Sequence, residues 1–468
     1  MKTYILHPAK TVDAQKPSPR STSKASPKPP GQFVPSVQVE APPVIRAALT
    51  PSVLRPPDPK TAALVEEIFN LPTGKKHTLY IGLDVHNDTI AVSLAPSDST
   101  EVRRYGIIGG THEDVLKLAK KLQAAHPEHL LKFCYEAGPR GYPLCRFLRS
   151  HGYFCIIVSP SCVPRRPGDR VKTDRRDADQ LARLFRAGEL TGIAVPDPHD
   201  EAVRDLLRGR YQVVTQQHRA RQQLKMFLLR HNIRYGGKTS WNAAHLRYLA
   251  RVKMPFAEQQ FVFQEMLQVI TEAGQRLERY EKQLPLVVLS WRWQPVVAAL
   301  MSLRGFDLLH AATLVAELGD LHRFEHPSKL MGYLGLVPSE HTTGEDRQQG
   351  GLTKMGNGYG RRAMVEAAWQ YRAPARITPH LQRRQEGLPK AVTDIAWKAQ
   401  VRLHGRFRHL LGVGKKKSQV AAAAVARELC GFVWAIGQIV RPHDQAKIQR
   451  GAAALAKAKP AAKKKGGQ

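Results

Sequence analysis

Asp174 and Asp177 stand three apart in "VKTDRRDADQLARLF", residues 171–185, where a helical apolar pattern begins. A spacing of three on a helix puts both carboxylates on one face. Like charges on one face repel, so something must offset the cost. A solvated helix start is one answer, with Asp174 as N-cap and both acids favoured by the helix dipole. A divalent cation is the other. On this stretch alone the solvated start is the simpler reading, but two further carboxylates alter the balance. Asp84 sits in "YIGLDV", inside an apolar strand, and Glu136 closes another in "FCYEAG". A carboxylate in an apolar strand is costly unless paired or metal-bound. A core salt bridge would explain either acid singly. Strand ends on a shared sheet can bring distant carboxylates together, and a following helix can add two more. Four such oxygen donors suit Mg2+ or Mn2+, and two ions about 4 Å apart would clamp an in-line phosphoryl transfer. Asp179 falls outside this set and reads as a solvated helix residue.

The bulk charge names a source of phosphate. The chain has 468 residues, a formal net charge of +33 and a pI near 10.2. A balance this basic points to a polyanion, and nucleic acid is the expected partner. A membrane surface is the other polyanion to weigh. No apolar run approaches the length of a spanning helix, and "MKTYILHPAK" lacks a signal-peptide core, so an intracellular protein is expected. The five cysteines, Cys134, Cys145, Cys155, Cys162 and Cys430, form no CxxC pair and have no His partner at zinc spacing. They read as reduced, mostly buried thiols.

The elements that must position these acids follow from periodicity. Residues 1–75 are rich in Pro, Ser, Ala and Lys and read as a disordered basic arm; residues 443–468 read as a basic tail. "HTLYIGLDVHNDTIAVSLA" predicts strands at 78–85 and 89–95 around a turn at His86–Asp88. "EVRRYGIIG" predicts a third strand, "HEDVLKLAKKLQAA" a helix, "LLKFCYEAG" a strand, "GYPLCRFLRSHG" a helix and "YFCIIVSP" a buried strand. A helix over 174–188 follows. This order describes a mixed α/β sheet covered by helices over 76–195. Residues 196–295 predict two long amphipathic helices separated by a break at Gly236–Gly237, an antiparallel arm suited to bundling or dimerisation. Residues 296–442 read as compact and mostly helical.

Within that last region, "LVPSEHTTGEDRQQGGLTKMGNGYGRRAMVEAA" is rich in small and basic residues. Gly344, Gly350, Gly351, Gly356 and Gly358 would let backbone approach phosphate, and Lys354, Arg361 and Arg362 are candidate phosphate contacts. A Gly-rich loop followed by a surface helix is the plain alternative. "SLRGFDLLHAATLVAELGD" is similar to a helix-hairpin-helix element whose turn at Gly305 would meet phosphate, although Arg304-Gly305-Phe306-Asp307 departs from the usual turn and a simple helical hairpin stays open.

"YIGLDVHNDTIAVSLA", "CYEAGPRGYPL" and "VKTDRRDADQLARLFRAGEL", with the C-terminal motif and "AVARELCGFVWAI", together resemble IS110/IS1111-type transposases over roughly 78–440. The resemblance implies a RuvC-like, RNase H-type α/β domain whose Asp-Glu-Asp-Asp set matches Asp84, Glu136, Asp174 and Asp177 and binds Mg2+ (or Mn2+). It implies a coiled-coil arm and a mostly α C-terminal transposase domain carrying a catalytic serine. It also implies a DNA recombinase of an insertion sequence, working as a homodimer or homotetramer with a structured bridge RNA in the bacterial cytoplasm. The family usually has Ser-Gly where this chain has Thr343-Gly344. Thr343 is therefore the expected nucleophile, with Thr342 and Ser339 as alternatives. Two other functions compete: a RuvC-like nuclease that uses water, and a non-catalytic nucleic-acid binder.

Overall fold

The computed structural model describes residues 77–164, 174–340, 343, 346 and 348–443, and at 174 and 175 the backbone alone. The expected basic arm at 1–75, the tail from 444 onward and Thr342 lie outside the described residues.

Alternation of apolar and small residues builds the N-terminal sheet. Strands β1 (His77–Val85), β2 (Thr89–Pro96) and β3 (Arg103–Gly109) form an antiparallel meander. Helix α1 (His112–Ala125) crosses to β4 (His129–Glu136), and α2 (Pro143–Ser150) crosses to β5 (Phe154–Val158). Both crossovers return parallel strands, giving the order β3-β2-β1-β4-β5. Leu79, Ile81 and Leu83 pack with Val115, Leu118, Leu144 and Leu148, so odd-numbered positions of β1 face α1 and α2. The opposite face takes α3 (Asp174–Arg186), whose Leu181 packs with Cys134, Ile156 and Val158.

The two long helices form as the spacing predicts. Helix α4 (Pro198–Arg230) starts at an Asp197 cap, and after the short α5 (Ala243–Leu249) helix α6 (Ala257–Ser290) runs back along it. Gln217 donates to the Ile270 carbonyl and Arg210 pairs with Glu281, while Phe227 and Phe263 share one core, so the pair is antiparallel.

The C-terminal region is helical around one large core: α7 (Gln294–Leu300), α8 (Leu308–Leu318), α9 (Pro327–Tyr333), α10 (Gly358–Ala368), α11 (Pro379–Gln385), α12 (Lys390–Gly412) and α13 (Ser418–Ile439). Between α9 and α10, strands β6 (Pro338–Glu340) and β7 (Gln349–Leu352) make a small antiparallel hairpin where a loop was expected. The expectation that no apolar run approaches a spanning length is corrected here. Helix α13 has 22 residues and a mean hydropathy of 1.5 over its most apolar window, long and apolar enough by length and composition to cross a membrane. Val420, Val425, Leu429, Val433 and Ile436 raise that value more than the alanines do, and one face, from Ala421 to Ile436, is buried in the core.

Candidate active site

Strand register brings two of the four acids side by side. β1 and β4 pair in parallel as Gly82–Cys134 and Leu83–Tyr135, and one step further puts Asp84 beside Glu136 at the carboxyl ends of both strands. Both fall on the face that carries α3. Cys134, two residues before Glu136, donates its thiol to the Leu181 carbonyl of α3 at 3.7 Å. Gly82, two residues before Asp84, lies against the same helix: a Cβ there would meet the Ala178 carbonyl and stand 2.6 Å from the Ala182 amide. Only glycine lets the helix backbone come this close to the strand. Since Ala178 follows Asp177, the close approach sets the first turn of α3, with Asp174 and Asp177, on the face of the sheet that carries Asp84 and Glu136.

The structure brings Asp84, Glu136 and the first turn of α3 to one face of the domain. Among the described residues no group of three His, Cys, Asp or Glu side chains is gathered as an ion would need. The side chain of Asp174 lies outside the described residues. Asp84 is one-fifth exposed, and its Oδ2 lies 3.1 Å from Nε2 of His86. The donor chemistry nonetheless fits a hard divalent ion: carboxylate oxygens at solvent-accessible strand ends. The neighbouring thiol offers no competing chemistry, because complete burial pushes Cys134 well above the ordinary cysteine range.

Asp179 corrects the solvated-residue reading. It accepts from the Ser93 hydroxyl at 2.6 Å and from Arg104 at 2.7 and 2.8 Å. Those bonds tie α3 to β2 and β3, so Asp179 braces the helix that carries the acid pair. His86 and Arg140 had not been singled out. His86 contacts Asp84, and its signal was the i, i+2 spacing that returns a strand side chain to the same side. Arg140, just past β4, donates to the carbonyls of Asn87 and Gly110 and so ties down the β1–β2 turn beside Asp84.

The second motif folds as the β6–β7 hairpin. Thr343 is exposed, and it exchanges two backbone bonds with Asp346, each 3.3 Å, that close the turn. Ser339 instead donates its hydroxyl to the Gly351 carbonyl at 3.2 Å. The hairpin base is fixed from below. Asn357 caps α10 by accepting from the Gly360 amide, and donates at 2.6 Å to Glu317 of α8. Glu317 is 2% exposed and takes both donors of Arg208 from α4 at 2.7 and 2.8 Å. Of the expected phosphate contacts, Lys354 is exposed at a positive φ of 55°. Arg361 donates to the Leu334 carbonyl at 2.9 Å, and Arg362 lies 3.3 Å over the Tyr211 ring. Gly305 makes a plain helical-hairpin turn packed against the Ala367 backbone, and Arg304 donates to the carbonyls of Ala373 and Pro374.

A mixed sheet with strand-end acids and a helix-borne acid pair is an arrangement suited to acid-based, metal-assisted chemistry on phosphate. Comparison with known proteins gives the family. Residues 81–233 match the DEDD-type transposase domain of IS110 elements, and residues 297–384 match the description "Transposase IS116/IS110/IS902 family". The chain is 45% identical over 363 residues to a Sinorhizobium fredii protein with the name transposase y4qE, covering 77% of this chain and 89% of that one. It is 33% identical over 350 residues to the transposase for insertion sequence element IS1533 of Leptospira borgpetersenii, covering 73% of this chain and 99% of that one. The chain belongs to the IS110 family of transposases: it is a DNA transposase of an insertion sequence.

Proposed function

We propose that this transposase cuts and rejoins DNA through a covalent intermediate on Thr343, with Asp84, Glu136, Asp174 and Asp177 acting on the same phosphate. The observation that carries the reading is the paired register of Asp84 and Glu136 on the face where α3 begins. These four carboxylates would hold Mg2+ (or Mn2+), which when bound polarises a scissile phosphate and lowers the demand for a strongly activated alcohol. The Thr343 hydroxyl attacks phosphorus as the bond to the 3′ oxygen breaks. The threonine proton is lost, the departing 3′ oxygen takes one up, and the protein stays joined to the 5′ phosphate. Attack by a 3′-OH on that linkage reverses the step, so rejoining needs no external energy source. Thr343 suits the role by its exposure, whereas the Ser339 hydroxyl is engaged across the hairpin.

The wider reading follows the family. The α4–α6 pair acts as a coiled-coil arm, the protein works as a homodimer or homotetramer whose two motif sets meet across protomers, and an element-encoded bridge RNA selects target and donor DNA in the bacterial cytoplasm, at the nucleoid. The test is cleavage of element-end DNA in Mg2+ by Asp84→Asn and Glu136→Gln. Both lose cleavage while keeping DNA binding and a native melting transition. Cleavage at the parental rate by either variant would remove the carboxylates from the chemistry.

A further inference from the structure

Helix α12 has a second face that the catalytic reading does not use. Its inner side is fully committed: Ala396, Ala399, Leu403 and Phe407 are buried in the C-terminal core. Its outer side carries Trp397 and Val401, 43% and 51% exposed, with Gly405 opening onto empty space and Arg408 one turn beyond. Positions 397, 401, 405 and 408 fall on one stripe of a helix. The chain has six tryptophans, and the other five are buried or half-buried. Trp291 donates to Asp200 and Trp434 to the Phe324 carbonyl. Trp241 and Trp293 lie under Arg221 and Arg292, and Trp369 meets Phe407. Trp397 alone of the six is exposed.

Charge decides what such a face receives. From 390 to 417 the sequence has eight Lys or Arg residues and one acid, Asp394. Arg402 and Arg406 share Glu428 of α13 at 3.2 and 3.1 Å. Lys398, Arg408 and Lys415 to Lys417 are exposed and have no ion-pair partner among the described residues. A second copy of this chain would bring the same positive charge against itself. A polyanion would not, and an aromatic ring beside lysines and arginines is the arrangement that stacks bases while cations follow the backbone. Bases inside a duplex are already stacked on each other, so an exposed indole selects unpaired ones.

We infer that the outer face of α12, with Trp397 as stacking platform and Lys415–Lys417 as phosphate clamp, binds single-stranded DNA released when the transposase opens its substrate. The inference rests on membership of the transposase family and not on the identity of the nucleophile. The experiment uses the full chain, a labelled oligo-dT of about 20 nucleotides and a duplex of equal length, by fluorescence anisotropy across a salt series. Trp397→Ala weakens oligo-dT binding about tenfold and leaves duplex binding within about twofold, and Trp397→Phe keeps most of the affinity. Replacing Lys415, Lys416 and Lys417 by Ala lowers the slope of log affinity against log salt by about 2. Intrinsic fluorescence is quenched by oligo-dT in the parent and much less in Trp397→Phe, which reads the contact even where the alanine variant folds poorly. Equal affinity in parent and Trp397→Ala overturns the inference. So does an equal loss on duplex, a loss seen only with oligo-U, or a change of sedimentation that makes the face a contact between copies.

Discussion

Asp84 tests whether the strand-end acids are structural or chemical. If its role were a core ion pair with His86, Asp84→Asn would lower the melting temperature. A normal transition and lost cleavage are expected instead, with His86→Ala costing far less activity. His310 makes a separate prediction about stability. It bridges the Asp307 cap of α8 at 2.7 Å and Glu366 of α10 at 3.0 Å, and these two carboxylates raise its pKa from the ordinary value near 6.5 to about 9. A raised folded-state pKa means that its contribution is complete below about 6.5 and is lost as pH rises through about 9. With both carboxylates half exposed, solvent screening limits the contribution to about 1–2 kcal/mol. Urea unfolding at pH 6 and pH 10 should show that loss in the parent and a smaller one in His310→Gln. Equal pH dependence in both would assign the effect elsewhere.

Among the elements, α3 is the one that the site depends on, and its seat is a backbone contact. Gly82→Val would drive a branched side chain into the Ala178 carbonyl and Ala182 amide. The helix must then shift outward, taking Asp174 and Asp177 with it. Overpacking of this kind costs about 1–3 kcal/mol, read by urea unfolding, and cleavage should fall further than stability does. The sheet was legible because β1, β2, β4 and β5 are dense in branched and aromatic residues between turn signals, and Asp84 and Glu136 were conspicuous as acids in apolar strands. The β6–β7 hairpin was not legible: its strands are short, and "QGGL" has no alternating apolar pattern. The role of Asp179 was hidden for another reason, since Ser93 lies 86 positions away in sequence and only the folded sheet brings the two together. The span-like hydropathy of α13 was passed over because its valines, Leu429 and Ile436 are spread among alanines and interrupted by Arg427 and Glu428 rather than gathered in one block.

At the scale of the whole molecule, one hydrogen-bonded network centred on the buried Glu317 joins the long-helix pair to the hairpin. Arg208 of α4, Glu317 of α8 and Asn357 at the start of α10 form a continuous hydrogen-bonded chain. Removing the only acid from it with Glu317→Ala leaves a partly buried guanidinium unpaired. The expected cost is about 3 kcal/mol by chemical unfolding; a change below about 1 kcal/mol would show that the network is dispensable. The N-terminal stretch is expected to matter differently. Deleting residues 1–70 should weaken nucleic-acid binding mainly at low salt and spare cleavage at saturating DNA, because its composition is basic and poor in large apolar residues. Lost activity at saturation would give that stretch a direct role. A covalent step on a threonine leaves a protein–DNA adduct that can be trapped. Suicide DNA substrates carrying element ends would be cut in Mg2+, and the protein–DNA adduct digested and mapped by peptide mass spectrometry. An adduct is expected on Thr343, none in Thr343→Ala, and a faster-forming one in Thr343→Ser, whose primary hydroxyl approaches phosphorus with less crowding. An adduct on Thr342 or Ser339, or cleavage with no adduct at all, would contradict a covalent step on Thr343.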